Sequence, residues 1–244
     1  MGDSLKGKKV LIVGVGPGLG SATAYLLLKE GAEVIISSRE EGKLKEICKS
    51  LSRVGNISYV AGNASSLNGA SEIISAAVKN SGRIDHFVFS VGGYVLTRLS
   101  DANEENLESM LSSNFKAPIY LAKAALPHLS EGSSIVLVCS REGLQWHTTR
   151  NISYAPAKAA LARATEILAN ELLEKGVRVN AVAPASMRFD FSPERDWRKG
   201  RRLGDVECPP EDVASVISFL LGESSGWIDG VVIPVDGGSR FNPK

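Results

Sequence analysis

The sequence predicts an α/β domain, doubly wound around a parallel sheet. Three observations carry that prediction. Short apolar and β-branched runs alternate with longer helical patterns along the whole chain. Several of those runs are apolar at nearly every position, as strands are when helices cover both faces of a sheet. Gly31 and Gly176 each stand one residue before a strand-like run, where helix C-terminal glycines are expected.

The elements follow in order. KKVLIVG (8–14) reads as the first strand, and the apolar pattern 22–29 as the helix after it. AEVIISS (32–38) and ISYVAG (57–62) read as strands followed by helices 42–51 and 70–80. DHFVFS (85–90) precedes one long helical pattern, 104–129. SIVLVCS (134–140) precedes helix 154–175, and VRVNAVA (177–183) follows it. Helix 211–221 and strand VVIPVD (231–236) close the series. Strand–helix alternation of this kind implies right-handed crossovers. The stretch 184–210, rich in Arg, Phe, Asp and Pro, breaks the alternation. A loop that long in a compact domain is usually functional.

Composition narrows the classes. The chain has 244 residues, 43% hydrophobic and 23% charged. That length allows one or two domains, and no linker, repeat or low-complexity tract divides it. Twenty-eight Lys+Arg against 27 Asp+Glu give a net charge of +1, which argues against a nucleic-acid or polybasic membrane binder. Cys48, Cys139 and Cys208 are scattered, and so are His86, His128 and His147. Neither a disulfide framework nor a metal site is expected from them. No apolar run approaches a membrane span, and the N-terminus lacks a signal-peptide core. The expectation is a cytoplasmic protein of a reducing compartment.

In doubly wound sheets ligands bind at the carboxyl ends of the strands. After the first strand comes Gly14-Val15-Gly16-Pro17-Gly18-Leu19-Gly20. Glycines let backbone amides approach a pyrophosphate, and a helix N-terminus attracts the anion. The spacing is G-x-x-x-G-x-G, and a glycine-rich turn with no ligand would read the same way. After the second strand come Ser37, Ser38 and Arg39, where an NAD site usually carries an acid. A guanidinium there suits a 2′-phosphate, so NADP is favoured over NAD. The competing reading pairs Arg39 with Glu40 or Glu41 at the surface.

Ser140 ends the fifth strand, and Tyr154-Ala-Pro-Ala-Lys158 opens a helix with Ser153 at its N-cap. Spacing of four puts Tyr154 and Lys158 on one face. A phenol ionises near pH 10, and a cation one turn away favours its phenolate. Taken singly, Y-x-x-x-K matches many helices by chance.

Together these residues make the chain closely similar to the short-chain dehydrogenase/reductase family, along essentially its whole length. Tyr154 and Lys158 match the family's Tyr-x-x-x-Lys, Ser140 its catalytic serine, and Asn114 the asparagine that completes the tetrad. The resemblance implies a single Rossmann-type domain with a seven-stranded parallel sheet. It implies that Tyr154 donates a proton to a carbonyl oxygen as hydride arrives, and that Ser140 holds that oxygen. Lys158 would bind the nicotinamide ribose and depress the Tyr154 pKa, and Asn114 would hold a relay water. The cofactor contacts it implies are Gly14, Gly16, Pro17, Gly18, Leu19, Gly20, Ser38, Arg39, Asn63, Ala64, Ser90, Val91, Gly92, Tyr154, Lys158, Pro184, Ala185 and Met187. A homo-oligomer, tetramer or dimer, is implied through the helices 104–129 and 154–175.

The chain departs from the family pattern at Val13, at Phe89-Ser90-Val91-Gly92, at Asn63, at Ala185 and at Phe189. These mark a divergent branch. The expected substrate is a small carbonyl or alcohol; 3-oxoacyl thioesters are one candidate, sugars or small ketones another. A non-catalytic cofactor-binding protein on the same fold is the alternative. The specificity segment would be 184–210, with aromatic walls from Phe189, Phe191 and Trp197 beside Tyr94 and Trp146. Residues 195–202 hold five cations and one acid, read either as an anion or acyl-carrier site or as a solvated face.

Overall fold

Seven strands hydrogen-bond in the spatial order 57–61, 33–38, 9–13, 86–89, 134–138, 178–184 and 232–235, every pair parallel. They are β1 Lys9–Val13, β2 Glu33–Ser38, β3 Ile57–Ala61, β4 His86–Phe89, β5 Ser134–Val138, β6 Arg178–Pro184 and β9 Val232–Val235. A computed structural model gives these positions and describes residues 5–144 and 149–241. The fold is the expected single-domain Rossmann-type α/β fold. Strand edges lie within one or two residues of the sequence reading. A short parallel pair, β7 Ser186–Met187 with β8 Glu207–Cys208, adds a small second sheet that alternation alone does not foretell.

Helices cover both faces because successive strand residues point to opposite sides. Leu11, Val13, Phe87 and Phe89 pack with α3 (Leu67–Ser81), α5 (Ala117–Ala125) and α6 (Tyr154–Leu172) in one core. Val10, Ile12, Val34 and Ile36 pack with α1 (Leu19–Lys29), α2 (Glu41–Leu51) and α7 (Pro210–Leu221) in the other. Gly31 and Gly176 take positive φ at helix ends, as expected.

The long pattern 104–129 is not one regular helix. α4 (Glu104–Leu111) runs into a π-helical turn at Ser112–Lys116, where Ala117 N–H bonds Ser112 O, and α5 continues from it. Pro118 lacks an N–H, so the Asn114 carbonyl four residues back has no α-helical donor. The turn carries Asn114 to full burial. Among the described residues no helix is long and apolar enough to cross a membrane.

Candidate active site

The catalytic candidates meet at the carboxyl edge of the sheet. Ser140 follows β5, and Tyr154 is the first residue of α6. Ser140 stands close enough to the Tyr154 phenol to hold its pKa down, and the Ser140 hydroxyl accepts from Glu142 N–H at 3.2 Å. Tyr94 meets Tyr154 edge-on, ring centres 4.9 Å apart. Lys158 is buried; its Nζ donates to Val138 O at 2.8 Å and lies 5.8 Å from the Tyr154 ring centre.

Asn114 faces this group across Gly92. Its Nδ2 donates to Gly93 O at 3.0 Å and Met110 O at 3.1 Å, while its buried Oδ1 has no partner. A Cβ on Gly92 would fall 2.5 Å from Asn114 Oδ1 and 3.4 Å from Lys158 Nζ, so only glycine fits there. All four predicted catalytic residues are therefore neighbours.

The electrostatics differ from the sequence expectation. Burial pushes the Tyr154 phenol up to about 12, opposed by Ser140. Burial lowers Lys158 to about 8. Desolvation dominates, and Glu142, Tyr94 and Cys139 add to it, so the phenolate is not favoured. Ser153 sits at the N-cap but does not cap; its hydroxyl donates to Thr97 Oγ1 at 2.9 Å.

Beside these groups opens a cavity of about 510 Å³. Gly14, Gly16, Pro17, Ser38, Arg39, Asn63, Ala64, Ser90, Val91 and Gly92 all line it. Gly14, at φ +97°, rests on the Ser90 backbone. A Cβ on Gly16 would meet nothing within 4 Å, so that position faces open space. The N-terminus of α1 has no side-chain cap, which leaves its amides for an anion. Leu19 and Gly20 pack into the protein, Gly20 against Val15. Asn63 Oδ1 accepts from Ser65 N–H at 3.1 Å.

Arg39 has no ion pair among the described residues. Glu40 pairs with Lys43 at 2.8 Å and Glu41 with Lys45 at 3.0 Å, so the surface pairing considered for Arg39 does not form. A cavity rimmed by Gly14, Gly16 and Pro17, with Arg39 on its wall, fits a dinucleotide.

Pro184, Ala185 and Met187 follow on from β6 outside that cavity's lining. Phe189 is largely exposed, and its ring lies 2.9 Å from where a Gly18 Cβ would stand. The expected aromatic wall is smaller than the sequence suggests. Phe191 packs on Tyr25, ring centres 5.7 Å apart, and Trp197 Nε1 donates to Asp212 at 3.3 Å. Trp146 lies outside the described residues.

The basic run is partly structural. Arg195 makes a two-pronged bond to buried Glu211 at 2.6 Å and pairs with Asp190 at 2.7 Å. Arg201 pairs with Asp212 at 2.6 Å, and Arg198 stacks on Trp197.

Comparison with known proteins follows the same line. Residues 14–240 match the family model described as enoyl-(acyl carrier protein) reductase. The chain belongs to the short-chain dehydrogenase/reductase family. It is 32% identical to tropinone reductase-like 3 of Erythroxylum coca, over 98% of this chain and 95% of that protein. It is 30% identical to an uncharacterized oxidoreductase of Thermotoga maritima, over 97% and 98%. A short-chain dehydrogenase structure from Mycobacterium smegmatis superposes with TM-score 0.85 at 31% identity, covering 96% and 93%. Members of this family are oxidoreductases acting on CH–OH and C=O groups with NAD or NADP, and this chain is an enzyme of that kind.

Proposed function

We propose that the protein reduces a small carbonyl compound to its alcohol, and reverses the reaction, with NADP(H) and with Tyr154 as general acid and base. The observation that carries this reading is the cluster itself: the Tyr154 ring 5.8 Å from the buried Lys158 Nζ, with Ser140 beside the phenol and Asn114 across Gly92. When bound, the cofactor supplies or accepts a hydride.

The protein's own residues do the rest. Gly14, Gly16 and Gly18, with the α1 N-terminus, would hold the pyrophosphate. Arg39 would grip the 2′-phosphate, with Ser38 beside it. Asn63 and Ala64 would flank the adenine; Ser90, Val91, Gly92, Pro184, Ala185 and Met187 would flank the nicotinamide end. Lys158 would bond the ribose hydroxyls. Ser140 would hold the carbonyl oxygen, and Tyr154, protonated at neutral pH, would give its proton to that oxygen. Asn114 Oδ1, a buried acceptor with no protein partner, would hold the water that refills it. General acid catalysis of this kind contributes about 10²–10⁴-fold.

The 184–210 segment would cover the substrate, and Phe189 would close over the loop at Gly18. The exposed apolar residues of α4 and α6 support a homo-oligomer. Three free cysteines support a reducing compartment such as the cytoplasm.

Tyr154→Phe tests the mechanism. NADPH-dependent ketone reduction is expected to fall at least about a thousandfold, with NADPH affinity within about threefold of wild type. Wild-type turnover in that variant would end the proposal.

A further inference from the structure

Two acceptors beside the phenol are not used by the chemistry above. Glu142 stands two residues after Ser140, and Asn151 three residues before Tyr154. Asn151 Nδ2 donates to a Glu142 carboxylate oxygen. That bond fixes the amide, leaving Oδ1 as a free acceptor. Asn151 is only 5% exposed, and its buried Oδ1 has no partner. A buried carbonyl left unpaired is costly, so native proteins seldom keep one without a use. Both residues line a cavity of about 400 Å³, with Thr97, Leu99 and Ala155 among its other walls. Glu142 N–H donates to Ser140 Oγ at 3.2 Å, which ties this residue to the reaction centre, and its charge raises both the Tyr154 and Tyr94 phenols.

We propose that Glu142 and Asn151 form a substrate subsite for a hydrogen-bond donor, a hydroxyl or an ammonium, carried by the carbonyl compound away from its reacting carbon. This rests on the reading of Ser140 and Tyr154 as the carbonyl-binding pair. A carboxylate and an amide oxygen only accept, so the subsite favours a donor. An apolar group there would leave Oδ1 as unpaired as before. Arg150, exposed, lines the same cavity and tilts the preference toward a neutral hydroxyl.

The test uses the full-length protein, NADPH and cyclohexanones matched in size at C4: hydroxyl, amine or methyl. A second, linear series carries the same three groups one to three carbons from the ketone. Wild type is expected to favour a donor ketone over its methyl partner by at least about tenfold in kcat/KM. Asn151→Ala should bring that ratio toward one. Glu142→Gln keeps an acceptor without charge, so it separates the sources. Loss of preference for the amine alone identifies ammonium, and retained preference for the alcohol identifies hydroxyl. Equal kcat/KM for all three groups in both series overturns the subsite while leaving the proposed function intact. If no ketone turns over, the proposed function fails, and calorimetry of the same compounds on the wild-type protein with NADP decides the subsite. Tighter donor binding then upholds it, and equal or absent binding overturns it. Should Asn151→Ala fail to fold, the wild-type ratio alone decides.

Discussion

Tyr154 loses more to burial than its neighbours return, so its pKa rises to about 12 while Lys158 falls to about 8. The sign of the pH dependence follows. Reduction needs the protonated phenol, which persists through neutral pH, so kcat for reduction should stay level from about pH 6 to 7.5. Oxidation needs the phenolate, whose fraction grows about tenfold per pH unit over the same span, and its kcat should climb accordingly. Steady-state rates in both directions check this; reduction falling steeply below pH 7.5 would contradict it. The residue types of the site were legible because each has a spacing signature. The phenol's ionisation was not, because a spacing rule counts the cation and misses the desolvation. The orphaned Asn151 Oδ1 was equally invisible, since nothing in Asn151-Ile152-Ser153 says which way an amide turns.

Elements place these residues by local devices. The π-helical turn at Ser112–Lys116 aims Asn114 into the core, and Pro118 is its one sequence trace. A helical pattern read at period 3.6 passes over a single widened turn. The segment 184–210 shows the reverse case. Its cations looked like a surface charge run, yet Arg195 is bound to Glu211, a carboxylate 1% exposed on α7. Removing Arg195 would leave that charge buried and unpaired. Arg195→Ala should therefore cost about 3–5 kcal/mol of stability and loosen the segment. Chemical denaturation reads the loss; a change under about 1 kcal/mol would show the pair to be dispensable.

The parallel sheet and its two helical layers follow from apolar runs and the positions of glycine, and these were legible almost throughout, whereas the order of the strands was not read from the sequence. The β7–β8 pair was not, because two-residue strands carry no periodicity. At the scale of the whole molecule, the proposed homo-oligomer is tested at the exposed apolar side chains of α4 and α6. Leu107 and Leu111 of α4 and Ile167 of α6 are exposed. Isolated surface leucines are ordinary, so these positions count only through the oligomer proposed above. Sedimentation should give two or four times the 25.9 kDa chain mass. Leu111→Glu with Ile167→Glu should reduce that assembly. A monomer at micromolar wild-type concentration would contradict this reading.

On the proposed function, the cleft at β1 and β2 takes NADP through Arg39. Calorimetric titration with NADPH and NADH side by side tests it most directly. NADPH should bind at least about tenfold more tightly, about 1.4 kcal/mol, and Arg39→Ala should erase the difference. Equal or tighter binding of NADH by the wild-type protein would contradict the assignment of Arg39, and binding of neither would contradict the reading of the cleft itself.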